Sequence, residues 1–239
     1  MNARSELPIR RRRCYLVRHG HVEYFAADGR PLDPRLVPLS RAGEQQVRSL
    51  GQVLQALTFD RVLCSDYPRA RQTLDLLLAD SNLSFEAKPE LREIRAGRLR
   101  ELPADTLFAA VTGAYRLAAQ PGAAFLGGER WDAFEQRVLG VFFDLIDEPE
   151  WDSALIVSHD AVNRILLGWA SGSGLSGIAA FEQDTACLNV LDIDMQGHQV
   201  TGAIIRTLNF TPYDPHKSAI RNTVLENLFS AIQPNGLKA

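Results

Sequence analysis

Cys14-Tyr15-Leu16-Val17-Arg18-His19-Gly20-His21 is a short apolar run that stops at an arginine, a histidine and a glycine. An unbroken apolar stretch of this length, closed by glycine, is the pattern of a strand buried on both faces of a parallel sheet. Two later stretches repeat it. Arg61-Val62-Leu63-Cys64 stops at Ser65-Asp66, and Ala154-Leu155-Ile156-Val157 stops at Ser158-His159-Asp160.

Helical patterns lie between these strands. Ser40 is a good N-cap for a helix carrying Val47, Leu50, Val53, Leu54 and Leu57, and Pro68 suits the first turn of a helix running to Leu78. Residues 104–119 read as helical, Trp131 to Asp147 as a strong amphipathic helix, and Val162, Ile165, Leu166 and Trp169 as part of another. Phe85 to Lys88 is a candidate third strand. Cys187 to Ile193 and Val200 to Ile205 are closing strands around a turn at Gln196-Gly197, and a last helix covers Ile220 to Ile232. Strands alternating with helices predict a single α/β domain over residues 1–239, three-layer α/β/α, with a mostly parallel central sheet. Residues 1–12 are polar and expected to be mobile, with Arg10 to Arg13 a solvated leader; residues 207–239 form a C-terminal extension with its helix.

Composition narrows the function. The chain has 239 residues, is 46% hydrophobic and carries a net charge of −3, so no global field draws it to nucleic acid or an anionic membrane. Any affinity for phosphate must come from a local site. No apolar run reaches the roughly 18 residues a membrane span needs, and no signal-peptide core follows the arginines. The three cysteines, Cys14, Cys64 and Cys187, sit in separate apolar runs, which suits buried thiols in a reducing compartment; a cytoplasmic address is expected.

Ligands of open α/β sheets sit outside the carboxyl ends of the strands, so Arg18-His19, Ser65 to Arg69 and Ser158-His159 can meet although they are far apart in the chain. Two arginines and two histidines around one crevice make an anion site. A guanidinium fork matches phosphate oxygens and stays charged at any working pH. A histidine with one ring nitrogen held by a carbonyl presents the other as a nucleophile. With Arg18, Arg69 and a protonated His159 neutralising the phosphoryl oxygens, attack by His19 gives a phosphohistidine, and a carboxylic acid must protonate the leaving oxygen. This chemistry calls for no metal or cofactor. His21, His198 and His216 share no ligand spacing and read as ordinary polar residues.

Taken together, these residues resemble the histidine phosphatase superfamily, its phosphoglycerate mutase-like branch. Arg18-His19-Gly20 matches the family's Arg-His-Gly, Leu39-Ser40-Arg41-Ala42-Gly43 with Gln46 its Leu-Thr-x-x-Gly helix start, and Ser65 to Thr73 its Ser-x-x-x-Arg-Ala-x-Gln-Thr. Leu91-Arg92-Glu93 with Gly97 is similar to its Leu-x-Glu-x-x-x-Gly, Gly128-Glu129 to its Gly-Glu-Ser, and Val157-Ser158-His159 to its Val-Ser-His-Gly. The resemblance implies a phosphoglycerate mutase-like fold and a metal-independent phosphatase acting on a small phosphorylated substrate. It further implies that Arg18, Arg69 and His159 bind phosphate, His19 attacks, and Glu93 is the acid and later the base.

The departures are local. Asp160 stands where the family has glycine, and the acid-phosphatase branch uses a His-Asp pair as proton donor, so Asp160 is a rival acid; it also reads as an acidic residue stabilising a helix N-terminus. Val22 and Phe25 replace the usual Thr and Asn that help hold phosphate, Arg130 replaces a serine, and Ala96 replaces an aromatic. Asp66 and Arg71 are read as solvated, with Arg71 within possible reach of a substrate. Alternatives to the phosphatase are a phosphoglycerate mutase and a non-catalytic phosphate-binding module. A mutase calls for a longer basic insertion, whereas residues 104–127 hold only Arg116 as a basic residue. For the last helix, packing on the core, shielding the site and contacting a second copy in a homodimer all remain open.

Overall fold

The computed structural model describes residues 9–26, 28–79, 83–98, 103 and 105–232. Six strands are described: β1 (Arg10–Arg18), β2 (Arg61–Cys64), β3 (Glu86–Ala87), β4 (Ser153–Ser158), β5 (Leu188–Gln196) and β6 (Gln199–Phe210). They form one sheet in the order β3-β2-β4-β1-β5-β6. The first four lie parallel, and β5 and β6 add an antiparallel edge. The helices are α1 (Arg41–Leu54), α2 (Pro68–Leu77), α3 (Leu107–Thr112), α4 (Trp131–Asp147), α5 (Asp160–Ala170) and α6 (Val224–Ile232).

Alternation along the central strands divides the core into two layers. Val17, Val62, Cys64, Leu155 and Val157 face Leu50 and Leu54 of α1 and Leu74 of α2. The intervening residues Cys14, Leu16, Leu63, Ala154 and Ile156 face Phe134, Val138 and Phe142 of α4 and Val162, Ile165 and Leu166 of α5. Each large apolar side chain removed from water contributes roughly 1.5–3 kcal/mol, so both helical layers are bound to the sheet largely by this strand pattern. The expected α/β/α layering and mostly parallel sheet are therefore found.

The register carries the site. Arg18 pairs with Ser158 and Cys64 with Val157, so β1, β4 and β2 end level, and the residues that follow them emerge at one edge. The turn after β1 is pressed onto the start of α1. A Cβ on Gly43 would lie 2.1 Å from the His21 carbonyl oxygen, so only glycine fits there. Ser40 caps the helix by accepting from the Gly43 amide, and Gln46 accepts from the His21 amide.

Three expectations are corrected. The arginine run is no leader: Arg10–Arg13 are the first half of β1, and of residues 1–12 only 1–8 lie outside the described residues. Arg11 and Arg13 stand directly opposite Asp194 and Asp192 of β5 and form ion pairs of 2.6 Å with them, while the buried Arg12 stacks over Trp151. The helix expected over residues 104–119 ends at Thr112, where Gly113, a poor helix former, is its C-cap. The last helix starts at Val224 rather than Ile220, because Thr223 and Glu226 form a reciprocal capping box that fixes its first turn.

Candidate active site

His19 follows β1 directly, held by its amide to the Ser158 carbonyl at 3.0 Å. Its Nδ1 lies 2.7 Å from the Gly20 carbonyl oxygen, which can only accept, so Nδ1 carries the proton and the lone pair is on Nε2. Arg69 Nε donates to that Nε2 at 3.1 Å, consistent with the same tautomer. Burial, followed by the charges of Arg69 and Arg18, pushes the His19 pKa well below its usual value, so the ring is neutral through mildly acidic pH.

Arg18 and Arg69 are buried and neither forms an ion pair with a carboxylate among the described residues. Arg18 Nη1 donates to the Gln183 carbonyl at 2.5 Å and its Nε has no hydrogen-bond partner among the described residues; Arg69 Nη1 donates to the Pro34 carbonyl at 2.5 Å. Two buried guanidinium groups that form no ion pair of their own invite an anion to join them. His159 lies edge-on to His19 with ring centroids 5.1 Å apart, its Nε2 2.8 Å from Ser65 Oγ and its Nδ1 buried without a partner. Burial and the neighbouring Arg69, His19 and Arg18 push its pKa well below the usual histidine value.

Glu93 reaches the same crevice from the segment after β3. Its Oε1 accepts from the Ile94 amide at 3.0 Å and the Ala161 amide at 3.2 Å. Burial first, and then the nearby Asp160, push its carboxyl up to about 7 against the opposing pull of Arg18 and Arg69. A carboxylic acid that keeps its proton near neutral pH can donate it. Arg18, His19, Arg69, Glu93 and His159 are thus all brought to one crevice. The site is a buried pair of cations around a neutral imidazole lone pair, with one proton-holding acid beside it.

A family model for the histidine phosphatase superfamily (branch 1) matches residues 14–204. The chain belongs to this superfamily. It is 29% identical to the adenosylcobalamin/alpha-ribazole phosphatase of Escherichia coli (strain K12) over 82% of this chain and 95% of that protein. It is 28% identical to the "Probable phosphoglycerate mutase GpmB" of Photorhabdus laumondii over 66% of this chain and 74% of that protein. Among solved structures, the alpha-ribazole phosphatase from Shigella flexneri superposes with a TM-score of 0.66 at 30% identity, covering 82% of this chain and 96% of that one. In class the chain is a histidine phosphatase, a phosphomonoester hydrolase with a phosphoglycerate mutase-like fold.

The superfamily motifs also explain residues that the sequence left without a role. Glu129 accepts from the Arg95 amide at 3.1 Å and from Arg137 Nε at 2.8 Å, while Arg137 donates to the carbonyls of Glu90, Arg92 and Glu93. Glu129 and Arg137 therefore clamp the acid's segment. Gly128 makes the approach possible, since a Cβ there would lie 2.2 Å from the Arg95 carbonyl oxygen. Glu129 had a motif signal; Arg137 had none, because three of its four partners are backbone oxygens of a segment more than forty residues away, and its pairing with Glu129 follows no motif.

Val22 and Phe25 have local partners. Val22 is buried with Val37, Leu39, Val47 and Ala186, and Phe25 pairs with Pro31 across the same loop. Asp66 is not merely solvated: it forms a two-pronged pair with Arg92, at 2.7 and 2.5 Å. Arg71 stacks over Phe85 at 4.4 Å, with its Nε buried. The three cysteines are buried and free, and for Cys14 and Cys187, as for Cys64, burial pushes the thiol up to about 12. Among the described residues no helix is long and apolar enough to cross a membrane.

Proposed function

We propose that phosphoryl transfer runs through His19. The Nε2 lone pair attacks phosphorus while the P–O bond to the leaving group breaks, and Glu93 gives its proton to the departing oxygen. Glu93, now a carboxylate, takes a proton from water as the water oxygen attacks; the N–P bond breaks, and inorganic phosphate leaves with His19 and Glu93 restored. Arg18 and Arg69 hold the equatorial oxygens, and His159 with Ser65 lines the same pocket. The observation that carries this reading is the pair of buried arginines, without an ion pair among the described residues, flanking an imidazole whose lone pair is fixed by Gly20.

A cavity of about 390 Å³ opens beside Glu93, lined by Arg35, Tyr67, Pro89, Glu90, Arg92, Arg95 and Arg137. It would take the leaving group of a small phosphomonoester, and nucleoside phosphates of the alpha-ribazole type head the candidates because two of the matched relatives carry that name. Mutase chemistry is the second reading, suggested by the GpmB relative. Against it stands the scarcity of basic residues between 104 and 127, which hold only Arg116. The buried free thiols support a reducing, cytoplasmic setting.

The test is hydrolysis of p-nitrophenyl phosphate, alpha-ribazole phosphate and phosphoglycerates with and without EDTA, with alkaline quenching to trap labelled phosphoenzyme. Phosphate release with a label lost in His19→Ala is expected. Phosphoryl exchange between phosphoglycerates without net release would establish the mutase instead, and EDTA-sensitive turnover would overturn the route through His19 alone.

A further inference from the structure

Asp160 opens α5 one residue after His159, and both oxygens of its carboxylate are engaged. Oδ1 accepts from Arg164 Nε at 2.6 Å and Oδ2 accepts from the Tyr115 hydroxyl at 2.8 Å. Arg164 is itself fixed, by the Ile178 carbonyl at 3.0 Å and Glu182 at 3.1 Å, and lies 4.2 Å over the Tyr115 ring. All three residues are buried. An Asp160 acting as proton donor would have to give up two buried hydrogen bonds, one of them charge-assisted.

The acid meets the start of α5 one residue further along the chain. The amide of its chain neighbour Ala161 donates to both Glu93 oxygens, at 3.2 and 3.4 Å. We propose that Asp160, clamped by Arg164 and Tyr115, is a positioning residue that holds Glu93 in its proton-donating form. The inference rests on Glu93 being the acid, as read above.

The surroundings of Glu93 show why a fixed anion is needed. Arg18 from the end of β1 and Arg69 from α2 favour its carboxylate, as do the amides of Ile94 and Ala161; Arg137 from α4 holds its backbone oxygen at 3.3 Å. Burial and Asp160 act in the opposite direction and prevail. The two arginines are required for phosphate, so the site cannot shed them. A carboxylate immobilised by Arg164 offsets them without entering the phosphate pocket. Glycine, which the family usually carries at this position, could not do so.

The test is the pH profile of kcat/KM for an alkyl phosphate, whose leaving oxygen needs a proton. Asp160→Asn keeps the side-chain shape and removes the charge. Its basic limb should move about one unit to lower pH, a loss of about tenfold at pH 7.5 with little change at pH 5.5. Asp160→Glu should return the limb toward wild type, and p-nitrophenyl phosphate, with its good leaving group, should be less affected. A uniform loss with an unmoved limb would make Asp160 merely structural and overturn the inference. Loss of alkyl phosphate turnover at every pH, with Glu93→Gln keeping a normal limb, would make Asp160 the acid and overturn it too. A wild-type basic limb that vanishes in Glu93→Gln keeps the underlying site reading intact in the first of these cases. Should thermal melts show Asp160→Asn unfolded, because Arg164 is left buried and unpaired, Asp160→Asn/Arg164→Gln removes both charges and is read on the same limb.

Discussion

The two ends of β1 set two groups of arginines side by side. At its start, Arg11 and Arg13 face Asp194 and Asp192 across β5, and Arg206 of β6 closes on Asp192 at 2.7 Å. At its end, Arg18 is buried against a carbonyl, and Arg69 from α2 against a carbonyl and the His19 lone pair. The first group is paired, half-exposed and screened by water; the second is buried and, among the described residues, forms no ion pair. The difference teaches where an anion binds: arginine marks a phosphate site when the fold gives it burial and withholds its carboxylate. Arg164 shows a third arrangement, buried and paired, where the charge serves the acid's neighbour instead of substrate.

The largest effect is expected at the group the two buried arginines surround. His19→Ala should lower kcat by at least about 10⁴-fold, the scale seen when a nucleophile acting as part of a unit is removed, with no trapped phosphoenzyme. Retained turnover would move the nucleophile elsewhere. Next, Arg69→Met should reduce kcat/KM by about 10²–10³-fold, as for loss of one preorganised charge on the transferring group. The same change removes a cation that depresses His19, so the acidic limb of the profile should rise toward higher pH. An unmoved limb would leave burial alone in control.

The wild-type pH profile sharpens the picture further. kcat/KM reports the free enzyme, which needs His19 without its Nε2 proton and Glu93 with its own. His19 lies well below 6.5 and Glu93 near 7, so the rate should stay level through mildly acidic pH and fall about tenfold per unit above pH 7. A rate that climbs from pH 7 to 9 would contradict this assignment.

At the paired end of β1 the effects should be smaller and confined to stability. Asp192→Asn, which weakens the ties to Arg13 and Arg206, should lower unfolding free energy by about 1 kcal/mol in urea titration with kcat unchanged. Arg11→Ala, on an exposed pair, should not measurably shift the midpoint. A large loss of activity in either variant would mean the two arginine groups are coupled through β1.

Much of the architecture was legible because it is local. Strand ends at Arg18, Cys64 and Ser158, the helices begun by Ser40 and Pro68, and the long amphipathic helix from Trp131 follow from periodicity and caps. The site residues were legible for the same reason, since each sits directly after a strand or within a short motif. The arginine run was misread because strand pairing is long-range: Arg11 and Arg13 acquire their meaning only from a register with residues about 180 positions away. The residues expected to be helical beyond Thr112 were misjudged because apolar spacing does not show where turns replace the helix.

What the sequence by itself determined is therefore the order of strands and helices, the family, and the identity of Arg18, His19, Arg69, Glu93 and His159 as candidates. What only the tertiary structure decided is their charge and freedom. Among the described residues Arg18 and Arg69 form no ion pair, and the His19 lone pair faces Arg69. Glu93 sits where burial and Asp160 outweigh two cations, and the Asp160 carboxylate is held by Tyr115 and Arg164. Proton affinity and ion pairing depend on burial and on neighbours contributed by distant segments, and those quantities exist only once the chain has folded.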